Sequence, residues 1–174
     1  MRKSARIALA VASVLLASLG TALAYDFNEQ HLVAACSPEI PASGKIRSTS
    51  LSTPNGIGVR HRGALIGDAV LYCQIDASDP SYNYFNWLQI VGEDNTSTGS
   101  ITATLYRQNI LSPSAPVAMA SVTTTNQAGV QIASTSLDDS LNEYTYVYWI
   151  EVRLSRSSSA STVTAYSVAL MDVL

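Results

Sequence analysis

Side chains suited to acid–base, nucleophilic or metal chemistry are sparse in these 174 residues: two His, two Cys and 13 acids. A Ser/His/Asp hydrolase needs a histidine held between nucleophile and acid. His31 stands close to the start of the chain, and His61 lies between Arg60 and Arg62, where a solvated surface position is expected. No G-x-S-x-G elbow occurs. Glycoside hydrolysis needs two acids facing each other across a cleft. The acids here cluster in stretches that read as loops, namely Asp76 with Asp79, Glu93 with Asp94, and Asp138 with Asp139. Glu151 alone sits inside a clear strand pattern, two residues from Arg153 on the same face, which reads as a surface charge pair. No catalytic residue set emerges, so an enzyme is not the expectation.

Two other patterns remain. Asp76, Asp79 and Asp94 offer oxygen ligands in short-spaced clusters, which a hard cation such as calcium prefers. The same residues cap turns through side-chain hydrogen bonds, and no other cofactor is implied. The aromatic residues are nine Tyr and two Trp against two Phe, a bias toward rings with a polar handle. Trp87, Trp149 and Tyr106 fall opposite the aliphatic positions of their segments. This marks them as a candidate ligand-binding aromatic face, unless those faces are core.

The elements that must position these residues follow a short leader. Arg2, Lys3 and Arg6 precede an apolar stretch from Ile7 to Gly20, and Ala22-Leu23-Ala24 supplies small residues before Tyr25. This reads as a secretory signal peptide over 1–24, too short for a membrane anchor. The expected mature chain, 25–174, is one domain, secreted or periplasmic, with no membrane insertion after processing. It keeps seven cations and all 13 acids, a charge of 7 − 13 = −6, which disfavours nucleic acid. In an oxidising compartment Cys36 and Cys73 are expected to form one disulfide.

Periodicity along the chain is mostly two. In Thr145–Ser155, Tyr146, Tyr148, Ile150, Val152 and Leu154 share one face, and Val147, Trp149, Glu151 and Arg153 the other. Ser100–Tyr106 and Ala69–Ile75 alternate likewise. Further strands are expected at Ile57–His61, Tyr84–Val91, Val117–Thr125, Val130–Leu137 and Thr162–Asp172, all rich in Thr, Val, Ile and Tyr. Gly-, Pro-, Asn- and Ser-rich turns separate them. One short helix is expected near Asn28–Ala35. The fold class is all-β: a single antiparallel β-sandwich of about seven or eight strands.

The early Cys36, the Val70-Leu71-Tyr72-Cys73 strand, Val91-Gly92-Glu93-Asp94, Ile101–Tyr106, Tyr144–Leu154 and a closing Val163-Thr164-Ala165-Tyr166 strand together resemble a loosely defined group of secreted bacterial β-sandwich proteins. Members of that group mostly have no assigned function. The resemblance implies a further cysteine pair in that group, at positions matched here by the apolar Ala103 and Val152, whose strands should then lie side by side in the core.

The expected function is a secreted, non-catalytic binding or surface-interaction module whose partner is a glycan or a protein. The alternatives are a structural subunit of an extracellular assembly, self-associating through sheet edges, and a secreted enzyme or enzyme inhibitor.

Overall fold

The computed structural model describes residues 26–39, 46–50, 57–75, 85–112, 114–125, 127–137, 141–142 and 144–172. The leader and Asp76, Asp79, Asp138 and Asp139 lie outside the described residues.

Among the described residues there are eleven strands: β1 (Asp26–Leu32), β2 (Ser37–Pro38), β3 (Ile46–Ser50), β4 (Ile57–His61), β5 (Gly67–Gln74), β6 (Trp87–Asp94), β7 (Gly99–Asn109), β8 (Val117–Thr123), β9 (Gln127–Ser136), β10 (Tyr146–Arg156) and β11 (Val163–Asp172). The first sheet runs β3-β4-β11-β6-β9, with β1 also paired to β11, and the second runs β2-β5-β10-β7-β8. Every pairing is antiparallel. The expected sandwich is observed with more strands than expected, because β1, β2 and β3 carry no apolar alternation to announce them. The expected helix at Asn28–Ala35 is instead strand β1 followed by a single 3₁₀ turn at Val33–Ala35. Pairing with β11 satisfies the backbone there, and only Val33 of that turn is buried.

The two sheets bury one core between their inner faces. The second sheet contributes Leu71, Cys73, Ile101, Ala103, Leu105, Ile150, Val152 and Leu154, and the first contributes Val59, Leu88, Ile90, Val163, Ala165, Val168 and Leu170. Ala103 and Val152 are register partners on β7 and β10, both fully buried. They stand where two paired strands could carry a bridge, as the resemblance required.

Strand β11 departs from simple alternation. Its register against β6 shifts between Ala165 and Ser167, which leaves Tyr166 as a bulge residue. Val163 and Ala165 precede the bulge and Val168 and Leu170 follow it, so both odd and even positions enter the core. Tyr166 is 2% exposed and lies over Gly58, where an added Cβ would come within 2.6 Å of its ring. Its hydroxyl donates to Glu93 at 3.0 Å, and burial together with that carboxylate pushes the phenol up to about 12.

Cys36 and Cys73 are disulfide-bonded with Cα atoms 4.6 Å apart. The bond ties the segment ahead of β2 to the end of β5, beside the short ladder Ser37↔Tyr72 and Pro38↔Leu71. Crosslinking across a separation of 37 residues restricts the unfolded chain and contributes about 4 kcal/mol on the loop-entropy relation. The Cys36→Ser, Cys73→Ser double variant should therefore unfold in urea with about 4 kcal/mol less stability and with a larger m-value, since the released unfolded chain exposes more surface. A loss under about 1 kcal/mol would show that the crosslink restricts little of the unfolded chain.

Candidate functional site

Strand β10 is the centre of the second sheet and pairs along its length with β7 on one side and β5 on the other. Its inward positions are Tyr148, Ile150, Val152, Leu154 and Arg156; its outward positions include Trp149, Glu151, Arg153 and Ser155. Register then places the outward residues of neighbouring strands in rows across the sheet. Trp149 lies between Gln74 and Tyr106, Glu151 between Tyr72 and Thr104, Arg153 between Val70 and Thr102, and Ser155 between Asp68 and Ser100.

The first row is aromatic. The rings of Tyr106 and Trp149 have centroids 5.7 Å apart and planes inclined by 17°. With Tyr72, Pro116 and Glu151 they line an open depression of about 570 Å³. Burial, with Glu39 and Glu151 nearby, raises the Tyr72 phenol above its usual range. The rows below are polar and internally bonded. Arg153 donates from Nε and Nη2 to Glu151 at 3.2 and 2.8 Å and from Nη1 to Asp68 at 2.9 Å, and the Ser155 hydroxyl donates to Asp68 at 2.8 Å. Thr102 pairs with Thr123 at 2.9 Å and Thr104 with Ser121 at 3.0 Å, hydroxyl to hydroxyl. Each such pair uses one hydrogen and leaves the other hydroxyl's hydrogen for a ligand.

Trp87 does not join this surface. It begins β6 and points outward, away from Leu88 and Ile90, but β6 belongs to the first sheet. The sandwich therefore separates Trp87 from Tyr106 and Trp149, and the three do not form one face as the sequence pattern suggested. Tyr72, Glu151 and Arg153 complete the surface instead. Their outward parity was readable strand by strand, whereas their meeting depends on the β5-β10-β7 register.

The histidine expected at the surface is buried. His61 is 3% exposed, and its Nε2 donates to the Leu154 carbonyl at 2.9 Å, linking β4 of one sheet to β10 of the other. The Arg60-His61-Arg62 run reads as solvated, yet the two-residue period of β4 turns its middle residue inward beside Val59's face.

Asp94 is likewise no loop ligand. It is the last residue of β6, fully buried on the inward face, with Gly99 so close that an added Cβ would meet its Oδ1 at 2.8 Å. Oδ1 accepts the Thr96 N–H at 3.4 Å, and Oδ2 is buried without a partner. Among the described residues no group of three or more His, Cys, Asp or Glu is placed to hold a metal ion. No helix among them is long and apolar enough to cross a membrane.

No protein-family model matches the sequence, and no curated protein matches it. Solved structures do match the fold. One is a family 6 carbohydrate-binding module whose binding sub-sites have been dissected, at 9% identity and a TM-score of 0.51, over 84% of this chain and 94% of that one. Another is the family 11 carbohydrate-binding module from Clostridium thermocellum in complex with a β-1,3-1,4-mixed-linked tetrasaccharide, at 12% identity and a TM-score of 0.43, over 82% and 87%. The chain has the β-sandwich fold of the family 6 module.

Burial raises the Asp94 carboxyl above its ordinary range, with the Thr96 N–H pulling the other way. A carboxyl raised in the folded state holds its proton more tightly there than in the unfolded chain. Its contribution to stability is therefore full below the ordinary value of 3.8 and is lost as the pH climbs from there through the folded value. Asp94→Asn removes the charge and keeps an acceptor for Thr96. It should match the parent in urea unfolding well below that ordinary value and exceed it at neutral pH. A parent more stable than the variant at neutral pH would mean that the carboxylate is held by a favourable partner.

Proposed function

We propose that the protein is a secreted or periplasmic, non-catalytic module that binds a glycan chain on the outer face of its second sheet. The observation that carries this reading is the Tyr106–Trp149 pair at the head of a strand-borne surface of hydroxyls, carboxylates and a guanidinium. Pyranose rings present apolar C–H faces and equatorial hydroxyls. The first suit an aromatic platform and the second suit neutral donors and acceptors held in rows. Outward residues from Trp149 to Ser155 span about 20 Å along β10 at the usual strand rise, room for several sugar units in line.

Supporting this reading, a solved structure that shares the fold is named as a carbohydrate-binding module. The disulfide is in keeping with the oxidising compartment to which the leader-like first 24 residues point. Non-catalytic binding is favoured over turnover because the only acids in the rows, Glu151 and Asp68, are both bonded to Arg153. An acid engaged with a guanidinium is poorly placed to give a proton to a leaving group.

Affinity electrophoresis and calorimetry against a panel of neutral polysaccharides test the reading. The parent should be retarded by at least one polymer without releasing reducing ends. Trp149→Ala should weaken that binding by roughly 1–3 kcal/mol with an unchanged far-ultraviolet circular dichroism spectrum, since an outward ring adds little to the core. Trp87→Ala, on the other sheet, should bind as the parent does. A folded Trp149→Ala protein that binds unchanged would overturn the aromatic-face reading. Polymer cleavage would overturn the non-catalytic one, and retention by a protein ligand alone would replace the glycan.

A further inference from the structure

At one end of the sandwich the inward series of β10 runs on from aliphatic residues into a charged one. The inward series Tyr148, Ile150, Val152, Leu154 ends in Arg156, which is 7% exposed. Its guanidinium donates from Nε to the Leu65 carbonyl at 2.8 Å, from Nη1 to the Ser161 carbonyl at 3.2 Å, and from Nη2 to the Gly63 carbonyl at 2.7 Å and again to Leu65. Four of five N–H groups are thus committed to neutral carbonyls, and one on Nη1 is left over. Among the described residues no carboxylate pairs with Arg156, so its charge is buried with hydrogen bonds but without a counter-ion.

Arg156 forms one wall of a pocket of about 190 Å³ whose other lining residues include Arg60, His61, Ser159, Ser161 and Thr162. No acid lines it. Arg60 adds a second guanidinium whose Nε is buried without an acceptor. The carboxylate of Glu93 is on the same sheet but receives the Tyr166 hydroxyl and forms no ion pair with Arg60. Gly63 is in the left-handed region at φ 56°, a conformation that lets the turn after β4 aim its carbonyl back at Arg156.

A buried cation without a counter-ion is costly, and Arg60, which also lines the pocket, brings a second positive charge to it. An anion in the pocket would answer both charges. It would find charge-assisted donors from Arg60 and Arg156 and hydroxyl donors from Ser159 and Thr162. We infer that this pocket is a binding site for a small oxyanion (sulfate, phosphate or a carboxylate), either free or carried on a sugar. The site is separate from the aromatic face: its residues come from β4, the turn that follows it, the end of β10 and the segment entering β11, and none belongs to the Tyr106–Trp149 rows. The inference does not depend on the glycan reading. If both hold, the module has an anion-selective contact at its end beside a face for neutral sugars along its side.

Isothermal titration at constant ionic strength, with chloride as the balancing ion, tests this with sodium sulfate, inorganic phosphate and glucuronate as probes. At least one should saturate a single site on the parent protein. Tighter binding of an inorganic ion assigns the site to free anions, and tighter binding of glucuronate assigns it to acidic sugars. Arg60→Gln should weaken the best probe by about tenfold or more, the usual effect of removing a charged hydrogen-bond donor. Its unfolding midpoint in chloride buffer should stay close to the parent's. Trp149→Ala should titrate as the parent does, which separates this site from the aromatic face. Should Arg60→Gln not fold, amide chemical-shift mapping on the parent substitutes for it: saturating shifts at Gly63, Ser161 and Thr162 on adding the best probe support the site. Absence of saturation by all three probes, an unweakened and folded Arg60→Gln protein, or shifts scattered over the surface would each overturn it.

Discussion

The two-residue period of β10, locked by pairing on both sides, is the constraint from which the rest of the structure follows. Eleven consecutive residues are in register with β7, and eight of them also with β5. A slip of one position against either neighbour would carry Trp149, Glu151 and Arg153 into the core and put Ile150, Val152 and Leu154 in water. Three fully buried aliphatic side chains are worth several kcal/mol of transfer free energy, and two charges driven into the core would add to the penalty. The same register that seals the core therefore fixes the outer rows. The position of the aromatic pair is a consequence of how the inner face packs, and needs no loop to hold it.

That constraint also explains which parts of the fold were legible in the sequence. Strands with one wet face announce themselves, as β5, β7 and β10 do, because alternation is the cost-free way to serve core and solvent at once. Strand β11 was legible at Thr162–Asp172 by its Thr, Val and Tyr content and not by alternation, because its bulge at Tyr166 changes parity midway and nine of its ten residues are buried. Near the start of the chain, β1 to β3 have no apolar stripe, and their placement depends on hydrogen bonding to β11, β5 and β4. Asn28–Ala35 looked helical because local propensity was all there was to read, and tertiary pairing overrode it.

The candidate site was half legible for a related reason. Outward parity identified Trp149 and Tyr106 from their own segments. Which strands share a sheet is a long-range fact, and that fact separates Trp87 from them and brings in Tyr72. His61 and Asp94 were misplaced by reading charge-rich neighbours as a sign of solvent. Both are inward positions at strand ends, where the sandwich is thin enough for a polar side chain to bond across it or to stay buried under a glycine. Arg156 was the most readable omission. It continues the inward series by one more step of two, and an arginine at that parity is a signal in itself, since a buried guanidinium must be answered by carbonyls or an anion.

The two polar regions of the molecule are built on opposite principles, and this bears on what each can bind. On the outer rows, Arg153 is answered by Glu151 and Asp68, and the hydroxyls of β7 and β8 bond to one another, so the cation is more than matched and these groups have partners before any ligand arrives. Such a face gains little from a charged partner and gains most from one that offers apolar area and spare hydroxyls without disturbing the existing bonds. Its rings and rows stand on paired strands, so little ordering entropy is lost when a ligand settles. At the sandwich end the balance is reversed. Carbonyls supply Arg156 with geometry but not with charge, and Arg60 lacks even an acceptor at Nε. A neutral sugar hydroxyl there would add one more dipole to a site already rich in them, whereas an oxyanion would supply the missing charge. Selectivity between neutral and anionic ligands is thus set by how completely each region has satisfied its own charges, and the two regions have done so to different degrees.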